Sequence, residues 1–418
     1  MCSWTSGRCG RIKEMEKWIS KMPKIELHCH LDGSISFPLA AKLLRARGEN
    51  YTEEELRALM TAPAECSSLT EYLRSFDLPN EVLQRPQELT EAAKDLALCA
   101  AKENVRYIEV RFAPQFFTAE GLSIRKVLEA VIEGLAQAKI ESELASRVGV
   151  KSESGSGFGS GLKSDLESEF RLESELKSDS ESGFRLESEL KSDSDFGLES
   201  RFKQESAPGL ESASEIKSTS GIESGIIVCG MRGLSEEANL SMLKAAAEFL
   251  GAGVVGCDLA GDEKYYPLSQ YAYFFEQARK YGMPFTIHAG ECGSRENIRT
   301  AIELGASRIG HGIAMLHDKE LQQLCAKKHI GVELCPTSNL QTQAISSIKN
   351  YPLREFMENG VLVSINTDNR TVSGTDLTHE FALLQETFLL SEEECRKIYQ
   401  DSVEVCFAGE EVKRKLRF

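Results

Sequence analysis

No apolar run in these 418 residues is long enough to span a bilayer, and the N-terminus carries no signal-peptide-like apolar core. The expected location is therefore cytoplasmic, with no membrane partner. There is no positive surplus either. The formal net charge is -16 and the pI is about 5.1. A surface of that sign repels phosphate backbones, which argues against a nucleic-acid partner. The twelve cysteines, scattered from Cys2 to Cys406, include no C-x-x-C pair. Several sit inside apolar runs (Cys29, Cys229, Cys257 and Cys335) and read as buried, reduced thiols acting as small hydrophobes. Also missing is a G-x-G-x-x-G turn after the first apolar run, which counts against a doubly wound dinucleotide-binding sheet.

What is present is ample apolar material. Hydrophobic residues make up 41% of the chain, enough for a large core. One segment stands apart. From about 146 to 222 Ser, Glu, Lys, Asp and Gly dominate, and FRLESELKSDS at 170–180 returns at 184–194. Residues 151–225 hold 17 acidic against 9 basic side chains, a balance of -8 and half the net charge of the chain. Each repeat offers one Phe and two Leu to bury, too little to offset the entropy of ordering it. The expectation is a disordered insertion, or a segment that folds only on a partner. The rest divides into an N-terminal extension (1–21), a first part of the folded domain (22–145) and a second part with C-terminal helices (223–418).

With the insertion set aside, short apolar runs alternate with helical patterns. The runs are 24–30, 105–113, 225–231, 253–260, 284–289, 307–312, 331–336 and 362–368. Helical spacing marks, among others, 123–142 and 263–282. Eight strands separated by helices predict an α/β fold of the (β/α)8 TIM-barrel type, with the long insertion before the third strand. Such a barrel carries its chemistry at the C-terminal ends of its strands. Polar groups recur there: His28, His30 and Asp32 after the first; Asp258 and Gly261 at the fourth; His288 and Glu291 at the fifth; His311 at the sixth; Asp368 and Asn369 at the eighth.

Side chains two apart on a strand share a face, so His28 and His30 both face the barrel axis. Alone, a His-x-His pair is as well explained by two hydrogen-bonded core histidines. His288 and Asp368 change that. Three imidazoles and one carboxylate suit a single Zn2+ per chain and leave room for a water, as a catalytic site requires. Such a water is nucleophilic near neutral pH. Glu291 is placed as general acid/base, and His311 as the group that orients the attacking oxygen. His317, His329 and His379 fall in loop or helical patterns and read as ordinary packing or surface residues.

The stretches MPKIELHCHLDGSI, YIEVRFAPQ, DLAGDE, TIHAGE, RIGHG, CPTSN and SINTDN, in that order, resemble the successive motifs of the adenosine deaminase family. The resemblance runs from about residue 22 to 410 outside the insertion. It implies a zinc-bearing (β/α)8 barrel and hydrolytic deamination of adenosine and 2′-deoxyadenosine to inosine and deoxyinosine plus ammonia. It implies His28, His30, His288 and Asp368 as zinc ligands, Glu291 as proton donor to purine N1, and His311 as the residue that activates the water. Asp32 and Gly261 would contact the ribose side and purine N3. Many members end the eighth strand with two aspartates, where this chain has Asn369. An amide suits the acceptor N7, but not a role that needs negative charge. The competing readings are a deaminase of adenine or another aminopurine, and a non-catalytic binding relative. The HLDG ending at Asp32 and the lack of a basic cluster at the strand ends favour a nucleoside.

Overall fold

The computed structural model describes residues 15, 17–63, 66, 69–148 and 221–417. The reading of the repetitive segment therefore concerns residues that, between 149 and 220, lie outside the described ones. Flanking them, a helix at Ile124–Val148 precedes the segment and Ile222, buried, follows it.

Eight parallel strands appear in chain order: β1 (Lys24–His30), β2 (Val105–Phe112), β3 (Glu223–Met231), β4 (Val254–Ala260), β5 (Thr286–Ala289), β6 (Arg308–His311), β7 (Gly331–Leu334) and β8 (Leu362–Ile365). They pair as two sheets, β1 to β4 and β5 to β8. Two seams join the sheets into a ring. At one, Cys257 bridges to Phe285 and its N–H donates to the Pro284 carbonyl at 3.1 Å. At the other, Cys29 bridges to Asp368, whose N–H donates to the His28 carbonyl at 2.8 Å. Among the described residues closure leaves no strand edge unpaired, and the crossover helices cover the outside. Among the described residues, no helix is long and apolar enough to cross a membrane.

The alternation in β1 sorts its side chains as expected. Ile25 and Leu27 pack outward against Tyr399 and Val403, while Cys29 and Leu31 join the main core. Cys229, Cys257 and Cys335 are likewise buried and free.

Two expectations need correcting in detail. The helical pattern at 263–282 is not one helix. Pro267 lacks a donor N–H and clashes with a preceding turn, so only a 3-10 turn (Leu268–Tyr271) and a helix (Ala272–Lys280) form. The eighth strand ends at Ile365, not 368. Asp368 adopts φ of 60°, a left-handed backbone that cannot continue a strand.

Candidate active site

The four ligand-type residues meet at the C-terminal mouth of the ring. One donor atom from each of His28, His30, His288 and Asp368 lies within 4.8 Å of all the others. Asp368 Oδ1 is 3.3 Å from His28 Nε2 and 3.4 Å from His30 Nε2. His28 Nε2 is buried without a hydrogen-bond partner. A buried nitrogen left open toward two imidazoles and a carboxylate is what a shared cation would satisfy. The donor set of three nitrogens and one oxygen fits zinc, though not zinc alone.

The other ring nitrogens are held from below. His28 Nδ1 meets Glu333 Oε2 at 2.8 Å, and His288 Nδ1 meets Asp258 Oδ2 at 2.8 Å. The Glu333 contact selects the His28 tautomer that leaves Nε2 free, and Asp258 faces the Nδ1 side of His288 as its ionic partner. Arg111 links the two carboxylates, with Nη1 on Asp258 and Nη2 on Glu333, both at 2.9 Å. Arg308 holds the other Glu333 oxygen at 2.6 Å and also pairs with Glu109. All five of these charged groups are fully buried.

These neighbours set the protonation of the site. Burial lowers the His28 and His30 imidazoles, so both are neutral and can act as ligands. For Asp368, burial pushes upward. The imidazoles of His28, His30 and His311 around it outweigh this and hold the carboxyl well below its ordinary value. Burial likewise opposes ionisation of Glu333, but Arg111, Arg308 and His28 keep it well below the usual range.

Beside this group lies a cavity of about 290 Å³. Its wall includes His30, Asp32, Gly261, His288, Glu291, His311, Asp368 and Asn369, so the candidate residues named from the sequence converge there; His28 sits behind them. Glu291 Oε1 accepts from Thr342 Oγ1 at 3.1 Å, and Oε2 stands 3.7 Å from His311 Nε2. Asn339 donates to His311 Nδ1 at 3.0 Å and is itself held by the Tyr351 hydroxyl. A neutral His311 so held carries its proton on Nε2, toward Glu291. His311, like Asp368, has positive φ, at 63°. Two side chains on strained turns at one site are typical of backbone shaped for function.

Asp32 is buried with Oδ1 unpartnered, and burial raises its carboxyl to about 6. Gly261, with φ of 100°, tolerates no side chain: a Cβ would stand 3.2 Å from that of Arg232. The cavity is roofed by Tyr72, Leu73, Phe76, Asp77 and Asn80, from the segment after β1.

A model of the family described as adenosine deaminase matches residues 23–152 and 208–417. The chain belongs to the adenosine deaminase family. It is 33% identical over 400 residues to adenosine deaminase of Clostridium perfringens, covering 95% of this chain and 97% of that one. It is also 33% identical over 405 residues to adenosine deaminase of Enterococcus faecalis, covering 96% of each. Among solved structures it shares its fold with the N6-mAMP deaminase of arabidopsis (24% identity, TM-score 0.69, 96% of this chain and 98% of that one). The adenine deaminase of Arthrobacter aurescens is similar (21% identity, TM-score 0.69, 94% and 96%). This member of the family is an enzyme, a hydrolytic deaminase.

Around the site of this family member, several groups escaped the sequence reading. Glu333, Arg111, Arg308 and Tyr72 are not singled out there, while Ser338 and Asn339 fall in the polar PTSN stretch (336–339) that closes the seventh strand and Asp258 ends the fourth, none with a role assigned. A signal existed for some of them. Arg111 sits mid-strand in VRYIEVRFA and Glu333 in GVELCP, and a charge inside a buried strand demands a partner.

Proposed function

We propose that this site hydrolyses adenosine and 2′-deoxyadenosine to inosine and deoxyinosine, releasing ammonia. One observation carries the substrate class. The cavity that holds the metal group and Glu291 also buries an unpaired Asp32 oxygen, yet among the described residues no Lys or Arg lines it. An unpaired buried acceptor calls for a donor from the ligand, and a ribose hydroxyl is one. A 5′-phosphate would instead need cationic partners, and the wall offers Asp32 and Asp77.

His28, His30, His288 and Asp368 would hold the metal, which we read as Zn2+. When bound, zinc lowers the pKa of water to about 7 and so supplies the nucleophile. The remaining work belongs to the chain. Asp32 takes the ribose, and Gly261 lets its backbone approach the purine edge. Asn339 holds the His311 ring so that Nε2–H orients the attacking oxygen. Glu291 delivers a proton to purine N1, which makes C6 electrophilic. Of the two protons of water, one ends on N1 and the other on the departing ammonia. Glu291 is therefore reloaded from the attacking oxygen as the C6–N6 bond breaks. The roof segment limits the water that reaches the reacting carbon.

The test is a screen of adenosine, deoxyadenosine, adenine and AMP, with metal content measured on the same sample. Loss of the adenosine absorbance band, with about one zinc per chain, is expected. Turnover of adenine or AMP in place of both nucleosides would overturn the substrate assignment.

A further inference from the structure

Tyr72 belongs to a short helix (Leu69–Leu73) in the roof of the cavity, far in sequence from the strand ends. Its ring is buried, but its hydroxyl is not idle. It accepts from Asn369 Nδ2 at 2.9 Å and lies 3.0 Å from Ser373 Oγ and 3.5 Å from Ser338 Oγ. Ser338 in turn donates to Asp368 Oδ2 at 2.6 Å. Since that proton is committed to the carboxylate, Ser338 can only accept from Tyr72. The hydrogens along this chain therefore run one way, Asn369 to Tyr72, Tyr72 to Ser338 and Ser338 to Asp368, with Ser373 a further partner of the Tyr72 oxygen.

Asn369 depends on this contact. Tyr72 is the hydrogen-bond partner of its amide, because the Oδ1 end is buried without one. That oxygen packs against Gly33, where a Cβ would come within 1.9 Å of it. An amide nitrogen has two hydrogens. Tyr72 engages one and leaves the other for an acceptor in the cavity wall that Asn369 helps form. Without the hydroxyl, neither end of the amide has a protein partner, and nothing selects which end meets the ligand.

We propose that Tyr72 is a positioning residue, which orients the Asn369 amide to donate to the purine imidazole ring and ties that orientation to the roof. This rests on the nucleoside reading of the cavity. It also supplies what a carboxylate at position 369 would not: a donor held in place by a neutral hydroxyl. The step involves hydrogen bonds only, with no covalent change.

A double-mutant cycle tests it, using Tyr72→Phe, Asn369→Ala and the pair. Adenosine kcat/KM and the dissociation constant of inosine are measured for each, with metal content and thermal unfolding alongside. Tyr72→Phe should lower kcat/KM and weaken inosine about tenfold, the worth of one hydrogen bond, at unchanged metal content. In the Asn369→Ala background the same change should cost less than about twofold. Ser373→Ala, which removes only the neighbouring hydroxyl, should give a smaller loss that also vanishes in that background. It carries the test if Tyr72→Phe does not fold. Equal losses in both backgrounds, or no loss in the native one, overturn the proposal. If the native protein leaves adenosine untouched, the functional reading fails by itself, and the inosine cycle still decides the role of Tyr72.

Discussion

Inside the ring, two levels of polar residues lie one above the other, and they obey opposite rules. Below the strand ends, Glu109, Arg111, Asp258, Arg308 and Glu333 form a closed set in which every carboxylate has a guanidinium or imidazole partner. At the strand ends, His28 Nε2 and Asp32 Oδ1 have no hydrogen-bond partner. The upper level borders the cavity and is slightly more exposed, yet His28 is as fully buried as any group below it, so solvent alone does not explain its open nitrogen. The lower level directs its hydrogen bonds inward, which fixes the imidazoles it touches. The upper level keeps its atoms open, and open buried atoms bind.

The largest break expected is at the reacting edge of the upper level. Glu291→Gln keeps the shape and the Thr342 contact but cannot deliver a proton. Its kcat should fall by about 10³, with zinc content unchanged. Single-turnover rates beside metal analysis check this, and retained turnover would remove Glu291 from the chemistry. The next break is in the lower level. Arg111→Met leaves Asp258 and Glu333 facing each other without their shared cation. Removing one partner from a buried pair costs about 3–5 kcal/mol, read as a lower urea midpoint. Excess zinc should not restore it. Between the levels stands Asp258→Asn, which weakens the brace on His288. Metal affinity should fall about 10–100-fold, and here added zinc should restore activity. The contrast in zinc rescue separates the lower-level contact that braces a ligand from the one that only pairs charges. If both variants respond alike, the division is wrong.

The eight strands were legible because a buried parallel strand is a short apolar run, and the helices between them keep a 3.6-residue period. The upper level was legible too, since His28, His30, His288 and Asp368 interrupt such runs at their ends. What escaped was of three kinds. Glu333 and Arg111 sit mid-strand, and their partners come from other strands through a pairing that one-dimensional order does not reveal. Tyr72 lies in the roof, where a short helix gives a weak periodic signal and the contact to Asn369 spans 297 positions. The Pro267 break and the left-handed turn at Asp368 were missed for a third reason. Both are local backbone geometry, and only the first has a residue type that announces it.

A glutamate outside the ring sharpens the comparison, with the smallest expected effect. Glu380 is as buried as Glu333, but its partners are the Thr337 N–H and the Thr375 hydroxyl rather than arginines. Burial raises its carboxyl to about 7, from an ordinary 4.5, where Glu333 is held far below. The folded protein thus binds a proton at Glu380 that the unfolded chain has released. Its contribution to stability is complete below pH 4.5 and is lost as pH rises through 7. Glu380→Gln keeps an acceptor for the Thr337 N–H, offers an amide N–H to the Thr375 oxygen in place of the bond it accepts, and does not titrate. At pH 5 the variant should match the native protein. By pH 8 it should be more stable by roughly 1–2 kcal/mol, since each tenfold change in proton affinity is worth about 1.4 kcal/mol and the two hydrogen bonds offset part of it. Urea midpoints at the two pH values measure the difference. A variant weaker at pH 8 than at pH 5, relative to native, would mean that the two hydroxyl and amide donors stabilise the charge as well as two arginines do. Burial without a cation would then not distinguish Glu380 from Glu333.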